Sequence, residues 1–532
     1  MLTSWETWLQ WHEEQQYTIL PYIKRVELDW IEQNYVASWS EVWKDASPHA
    51  FVLESGKVGR YTYLGISPES LIYGTDEVAR TISYHNYDEQ SQNWEEIHGK
   101  PLETVREWMQ PFKSPRVENG PKFSGGCVGF WGYDVIRSIE KLPRLAERDL
   151  QVPDYFFMRM NEVWILDHQE RCVFCVVHRP ITSDMSQLDL LRTYEAAVGH
   201  AEGMADYWLT WFEGEQQRAQ DHVERERKLA HIQQQSLHID VESIEGISSP
   251  FAKSDFMEAV VKIQDYISQG DVFQVNLSQR QSKAVKSTGA ELYEWLRLFN
   301  PSPYMGYIAT PQFQIVSASP ELLVEQYDGK LATRPIAGTR RRGRTEEEEA
   351  LFVQELLNNE KEKAEHIMLV DLERNDLGRV STYGTVKVEE LMVIERYSHV
   401  MHLVSQIEGK LASGKDCFDV IAATFPGGTI TGAPKIRTME IIEELEPVKR
   451  GPYTGSMGWI DYNGDMEFNI IIRTMVMEQD QVHIQAGAGI VIDSNPEREY
   501  YESLSKAKAL WKAIQYAESF PLFRRDHDDI AT

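Results

Sequence analysis

Two groups of glutamates lie in segments with helical periodicity, at spacings that suit a metal site. Glu362 and Glu365 are three residues apart, and Glu499, Glu502 and Lys506 stand at i, i+3 and i+7. Residues three or four apart share a helix face, so each group would present its carboxylates together. Two facing carboxylate pairs, completed by substrate oxygens, suit Mg²⁺, which prefers oxygen ligands and retains waters. Because charged residues are usually exposed, two solvated helix faces are the alternative interpretation.

Two glycine-rich segments could bring backbone close to a ligand. Residues 427–442 (GGTITGAPKIRTMEII) predict a turn that opens a helix, whose free amides can hold an anion. Residues 485–493 (QAGAGIVID) predict a strand in which Gly487 and Gly489 leave room for a bulge or a ligand. Neither segment carries a GxGxxG or GxxxxGK[ST] phosphate motif, so each alone is better explained as a requirement of the fold.

The cysteines are weaker candidates for a catalytic or metal-binding site. Residues 125–129 (GGCVG) have the form of a nucleophile elbow at Cys127, with 168–170 (HQE) as a formal partner. An elbow needs a helix directly after the thiol, and FWGYD is a poor helix start, so the pattern favours a buried strand cysteine. Cys172 and Cys175 form one CxxC with no second pair, in a segment of strand character, which argues against zinc and redox sites.

A run of cations, comprising Arg340, Arg341, Arg342 and Arg344, is most simply a solvated loop. A docking patch for a partner, or a group of charges that neutralises an anionic ligand, is the alternative.

The glutamates must be positioned by long helices. One is expected from about Thr345 to Leu372, with Thr345 and Glu348 as a capping box. Another is expected to begin at Pro496, and its core-facing stripe consists of Tyr500, Leu504, Ala507, Trp511 and Ile514. Alternating segments at 51–55, 126–133 and 163–168 predict strands, which makes the chain α+β.

Length and composition bound the function. The chain has 532 residues, enough for two to four domains, and its net charge is −29. Such an acidic surface repels phosphate backbones, so nucleic acid is not an expected partner. Four cysteines fit a reducing cytoplasm, the first residues do not resemble a signal peptide, and no apolar run is long enough to span a membrane.

The chain divides around a polar, charge-rich stretch. We expect an N-terminal region at 1–212, a charged linker with some helix at 213–250, a catalytic region at 251–520 and a polar tail at 521–532.

Several segments occur together in one order: 371–380 (DLERNDLGRV), 395–405 (ERYSHVMHLVS), 432–442 (GAPKIRTMEII), 469–475 (NIIIRTM) and 486–503 (AGAGIVIDSNPEREYYES). This combination closely resembles the chorismate-utilising enzymes over about residues 250–515. It extends to 53–65 (LESGKVGRYTYLG), similar to a region where related enzymes bind tryptophan, and to 124–134 (SGGCVGFWGYD). The resemblance implies large antiparallel sheets packed as a sandwich, with helices outside, as in anthranilate synthase component I.

Within that family, three segments are more similar to the aminodeoxychorismate synthase component I branch than to the anthranilate branch. They are 425–435 (FPGGTITGAPK), 274–278 (QVNLS) with Asn276, and 468–474 (FNIIIRT). The sequence departs from that branch at 335–339 (PIAGT), where Ala337 stands at the place of a lysine proposed as a nucleophile. Without it, ammonia or water would add directly to the bound substrate, and the anthranilate branch, which also carries PIAGT, remains the alternative.

The resemblance also implies roles for individual residues. Glu365 and Glu502 would be Mg²⁺ ligands, with Glu362 and Glu499 close by in the same site. Glu321 would be the general acid for the departing 4-hydroxyl group, and His402 and Lys506 would assist catalysis. The residues expected to bind the substrate are Thr429, Tyr453, Arg473, Gly487, Gly489 and Lys506.

The expected reaction converts chorismate and ammonia to 4-amino-4-deoxychorismate, a precursor of 4-aminobenzoate and folate. The chain shows no credible glutaminase triad, so a separate glutaminase subunit is the expected partner. A non-catalytic scaffold on the same fold is a further hypothesis, against which the intact set of acidic and basic site residues argues. An isochorismate-forming enzyme is the last hypothesis. Such an enzyme needs a lysine base to activate water, and the sequence has no matching motif for it.

Overall fold

The computed structural model describes residues 2–28, 36–56, 59–84, 94–212, 214–235, 239–396 and 400–520. The helices in these residues are α1 (Trp5–Glu13), α2 (Val42–Asp45), α3 (Pro101–Met109), α4 (Gln187–Phe212), α5 (Glu215–Gln234), α6 (Lys253–Gln269), α7 (Gly289–Phe299), α8 (Glu346–Asn358), α9 (Glu360–Gly378), α10 (Cys417–Thr424), α11 (Lys435–Leu445) and α12 (Pro496–Ser519). The predicted tail at 521–532 lies outside the described residues.

The strands in the same residues are β1 (Ile19–Glu27), β2 (Ala50–Glu54), β3 (Tyr61–Gly65), β4 (Ser70–Thr75), β5 (Val78–Ser83), β6 (Trp94–His98), β7 (Gly126–Trp131), β8 (Tyr155–Met160), β9 (Glu162–Asp167), β10 (Cys172–Pro180), β11 (Gln274–Ala284), β12 (Tyr304–Ala309), β13 (Phe313–Ser319), β14 (Leu322–Tyr327), β15 (Lys330–Thr333), β16 (Ile336–Arg341), β17 (Lys387–Arg396), β18 (Val400–Lys410), β19 (Gly432–Ala433), β20 (Ser456–Asp461), β21 (Met466–Ile470), β22 (Thr474–Glu478) and β23 (Gln481–Ile490).

The strands form two antiparallel sheets. The first has the order β1-β10-β9-β3-β2-β12-β13-β22-β23-β11-β19. The second has the order β16-β18-β15-β14-β21-β20-β7-β8-β4-β5-β6, with β17 paired to β18. Both sheets continue across the charge-rich segment at 213–250, because β2 pairs with β12 in the first sheet and β7 pairs with β20 in the second. The ranges 1–212 and 251–520 therefore share their sheets, and α5 lies in the segment between them.

The two sheets pack face to face around one apolar core. Phe51 and Ile308 of the first sheet meet Phe130 and Trp459 of the second in a single buried cluster. Strand side chains alternate between faces, so the opposite faces are left for helices. Helices α4, α6, α7 and α12 pack with the outer face of the first sheet, and α3, α9 and α10 with that of the second. The structure is thus the expected α+β sandwich with helices outside.

The helix expected from Thr345 to Leu372 is wrong as one element, because it consists of α8 and α9. Asn359 interrupts it in an extended conformation, and its Oδ1 accepts a hydrogen bond from the Glu362 backbone N–H at 3.1 Å. The asparagine therefore begins a new helix rather than continuing the old one. Only half of the expected capping box forms: Thr345 accepts from the Glu348 N–H, while the Glu348 carboxylate accepts from the backbone of Arg344.

The arginine run is also not the solvated loop that was the simplest expectation. Arg340 and Arg341 belong to β16, and the run pairs with the acidic side of α8 and α9. Arg341 forms an ion pair with Glu348, and Arg342 forms one with Glu349 at 2.8 Å. The arginines pair with these glutamates because the two groups are close in sequence: the four consecutive glutamates that begin α8 follow the last arginine after one threonine.

The remaining elements agree with expectation. The stripe of α12 predicted from Tyr500 to Ile514 is buried throughout. Cys127 lies buried in β7 with no α-helix after it, and burial raises the pKa of its thiol, which excludes an activated nucleophile there. All four cysteines are buried and free. No helix in the described ranges is long and apolar enough to cross a membrane.

Candidate active site

A cavity of about 620 Å³ lies where the ends of β11, β16 and β23 meet α9 and α12. We call it the active-site cavity. It brings together every residue that the sequence proposed for the site: Glu321, Glu362, Glu365, His402, Thr429, Tyr453, Arg473, Gly487, Gly489, Glu499, Glu502 and Lys506. These residues span about two hundred positions of the chain, so only the fold makes them neighbours.

The four glutamates expected near the metal come from two helices, as their spacing predicts. Glu362 and Glu365 lie on α9, and Glu499 and Glu502 lie on α12. Glu365 Oε1 accepts a hydrogen bond from Gln274 Nε2 at 2.9 Å. Glu502 Oε1 lies 3.1 Å from Lys506 Nζ, one turn further along α12.

Glu362 has a different environment. Its Oε1 lies 2.8 Å from Arg340 Nη1, and its Oε2 is buried without a hydrogen-bond partner. A buried, unpartnered carboxylate oxygen is costly and indicates a missing ligand or water. Gly338 makes room for it, because a Cβ at this glycine would lie 2.6 Å from Glu362 Oε2.

The carboxylates do not form a closed cage. No group of three or more His, Cys, Asp or Glu side chains in the described residues is arranged to hold a metal. Carboxylates from two helices that line one cavity still fit Mg²⁺, which commonly keeps waters and takes one or two protein carboxylates plus substrate oxygens. The donor set is therefore compatible with a metal shared between protein and substrate.

Glu321 lies in the two-residue connection between β13 and β14 and is almost fully buried, with 6% of its surface exposed. Its Oε1 has no hydrogen-bond partner among the described atoms. Burial raises its pKa to about 7, and the polar contacts with Thr429 and the Ile336 backbone, followed by the charge of Lys506, oppose this only in part. A carboxyl group with this pKa is substantially protonated near neutral pH, which is what a general acid requires.

A cation, Arg473, also lines the cavity. Burial lowers the pKa of Arg473, whose Nη1 donates to the backbone oxygen of Lys506 at 2.7 Å. Arg473 forms no ion pair among the described residues, so its charge is available to an anion. Its backbone has a φ of 53°, a left-handed conformation that costs about 1–3 kcal/mol and is common at functional sites.

Three further predicted residues complete the wall. Tyr453 is buried, and burial raises the pKa of its hydroxyl. Thr429 lies in a 3₁₀ turn at Gly428–Ile430. His402 on β18 has its Nδ1 3.0 Å from Thr339 Oγ1, and burial lowers the pKa of the ring. A neutral imidazole held in this way can accept a proton or a hydrogen bond.

Sequence reasoning missed several polar residues in the same cavity. Gln274 and Asn276 lie on β11, and Gln485 lies on β23. A signal was present, since the polar Gln274, Asn276 and Ser278 alternate with the apolar Val275 and Leu277. Period-two alternation puts the polar residues on one face of a strand, which here is the face of the cavity.

Gly487 and Gly489 leave space for the side chains of Asn276 and Gln274. A Cβ on Gly487 would lie 2.5 Å from Asn276 Oδ1, and one on Gly489 would lie 2.4 Å from Gln274 Nε2. The glycines therefore admit the two amide side chains of the neighbouring strand. This close approach explains them without a direct contact between glycine and substrate.

Residues 49–512 match the family model described as chorismate binding enzyme. The chain belongs to this family. A curated relative, aminodeoxychorismate synthase component 1 of Bacillus subtilis (strain 168), is 45% identical over 470 residues, which is 88% of this chain and 92% of the relative. Anthranilate synthase component 1 of Acetivibrio thermocellus is 40% identical over 479 residues, covering 89% and 91%.

Among solved structures, anthranilate synthase component I from Streptococcus pneumoniae TIGR4 matches with a TM-score of 0.68 and 33% identity, covering 85% of this chain and 92% of that one. All residues that line the active-site cavity lie within the range that matches the family model. The antiparallel sandwich expected from the sequence is confirmed by this neighbour.

Proposed function

We propose that the protein is component I of aminodeoxychorismate synthase and converts chorismate and ammonia to 4-amino-4-deoxychorismate and water. The observation that carries the proposal is the buried Glu321, which lines one cavity together with Arg473, a cation that is unpaired among the described residues, and two helices that present carboxylates. Of the relatives described above, the aminodeoxychorismate synthase has the higher identity, which supports this branch.

Each side of the cavity has a task in this reaction. Arg473 and Lys506 bind the carboxylates of chorismate, because a fixed guanidinium suits a carboxylate. Glu321 donates its proton to the 4-hydroxyl group, which leaves as water while ammonia supplies the new amino group. His402 accepts a proton that the bound ammonia releases. Burial around Glu321 excludes the bulk water that would compete with ammonia.

Glu365 and Glu502 would hold Mg²⁺, with Glu362 and Glu499 nearby. When bound, the ion would neutralise a substrate carboxylate and withdraw electron density from the ring. The partly open carboxylate set and the unpartnered Glu362 Oε2 support a site of this kind.

Ammonia would come from a glutaminase subunit. The word component in the names of the relatives supports a second chain in their assemblies. The cavity described here contains no cysteine, which is consistent with glutamine hydrolysis on another protein.

Anthranilate synthase component I is the second candidate, because Ala337 lines the cavity where the aminodeoxychorismate branch often has lysine. The test is to incubate pure protein with chorismate, Mg²⁺ and ammonium at alkaline pH. A product that a lyase converts to 4-aminobenzoate supports the proposal, and fluorescent anthranilate supports the second candidate. No consumption of chorismate, with or without a glutaminase, contradicts both and favours a scaffold.

A further inference from the structure

Two amide side chains in the active-site cavity have oxygens without donors. Asn276 Oδ1 and Gln485 Oε1 are both buried and lack hydrogen-bond partners among the described atoms. Gln485 is 6% exposed, and Asn276 is half-buried. An unpaired buried acceptor is expensive, so two of them in one cavity indicate a ligand that donates hydrogen bonds.

The orientation of Gln485 follows from its neighbours. Ser278 Oγ donates to Glu446 Oε1, an acceptor that carries no proton of its own when ionised. The serine oxygen must therefore accept from Gln485, whose Nε2 lies 2.9 Å away. The amide nitrogen is committed to Ser278, and the amide oxygen faces elsewhere.

The same reasoning fixes Asn276. Its Nδ2 lies 3.5 Å from the backbone oxygen of Thr429, at the outer limit of a hydrogen bond, and a carbonyl oxygen can only accept. The amide oxygen then lies over Gly487, where a Cβ would come within 2.5 Å of it. Gln485 and Gly487 are two residues apart on β23, so Gln485 lies on the same face as this oxygen.

Chorismate cannot satisfy both acceptors. As a dianion it carries a single O–H donor, and its carboxylates need the cations of the cavity. Ammonia has three N–H donors and no charge. Among the described residues, the cations next to these amides are each paired with a carboxylate: Arg450 with Glu446 at 2.7 Å, and Arg280, the cross-strand neighbour of Gln485, with Asp149. Neutral acceptors beside neutralised pairs suit ammonia rather than an anion.

We infer that Asn276 and Gln485 form a binding subsite for ammonia, the second substrate of the proposed reaction. This inference rests on the proposed function. The subsite holds the nucleophile against the cavity wall beside Gly487, while Arg473 and Lys506 hold chorismate. Holding both substrates in this way supplies the proximity that amination requires.

The test measures steady-state kinetics with ammonium as the nitrogen source, for Asn276→Leu and Gln485→Met. Each variant preserves side-chain volume and removes the acceptor. We expect the KM for ammonium to rise about tenfold, as for the loss of one hydrogen bond in a desolvated site, with the KM for chorismate nearly unchanged. Two variants are needed because either one alone could fail to fold.

The matched control is Gln281→Met, which removes an amide from the same strand. Gln281 Oε1 already accepts a hydrogen bond from Trp511 Nε1 at 2.8 Å, and it lies in the opposite-facing core. This variant should lower thermal stability and leave the KM for ammonium as in the wild type.

The outcomes separate the two proposals. If wild type makes an amine from chorismate but both variants keep its KM for ammonium, the subsite is overturned and the proposed function stands. If the KM for chorismate rises equally, the amides bind chorismate and the subsite is again overturned. If wild type makes no amine, the function and the subsite fail together.

Discussion

Replacing Glu321 by Gln should remove activity and at the same time stabilise the protein at high pH. The pKa of this carboxyl group is raised by burial from 4.5 to about 7. Its folded form therefore binds a proton more tightly than its unfolded form, and stability is lost as the pH rises from 4.5 to 7. Because each pKa unit corresponds to 1.36 kcal/mol, the charge at position 321 destabilises the fold by about 3 kcal/mol above pH 7.

Gln cannot ionise, so Glu321→Gln does not lose this stability at high pH. Denaturant unfolding should show Glu321→Gln more stable than wild type by about 3 kcal/mol at pH 8, and by less than about 1 kcal/mol at pH 5. Amination activity should fall by about 10²-fold or more, the usual contribution of a general acid. The control is Glu258→Gln, at a side chain that is 70% exposed, which should change neither the stability nor the amination activity. A stability difference between Glu321→Gln and wild type that is the same at both pH values would refute the assignment of a buried, protonated acid.

Three further changes test other parts of the site. Gln274→Leu removes the hydrogen bond to Glu365 and should weaken Mn²⁺ or Mg²⁺ binding by about tenfold, as measured by calorimetry. An unchanged metal affinity would show that Glu365 does not need this hydrogen bond. Gly489→Ala should fold, since its Cβ meets only the mobile end of Gln274. Gly129→Ala should be destabilised by at least about 1–3 kcal/mol, since its Cβ would lie 1.9 Å from the Phe156 backbone oxygen; equal thermal melts for these two variants would contradict the distinction. Cys127→Ala should keep wild-type turnover and lose about 1 kcal/mol of stability, and a large loss of activity with the fold intact would revive the nucleophile.

The sequence identified the residues that share the cavity better than it predicted the elements around them. The glutamates of α9 and α12 were found because helical spacing is a local property. The polar face of β11 was visible as alternation, but its meaning depends on β23, which pairs with it from two hundred residues away. Asn359 breaks the expected helix through a single side-chain hydrogen bond, which propensity over a window cannot resolve.

The arrangement of charge in the cavity explains why one small site can hold two dissimilar substrates. Arg473 and Lys506 offer positive charge, and the glutamates of α9 and α12 offer oxygen ligands. In the same cavity, β11 and β23 present uncharged amide oxygens that accept hydrogen bonds. A dianion, a divalent ion and a neutral amine therefore each have a distinct part of the wall. The carboxyl groups of the cavity differ in burial in the same way: Glu321 is almost fully buried, which suits a group that must stay protonated, whereas Glu502 is half-exposed, which suits a group that must stay ionised to bind a cation.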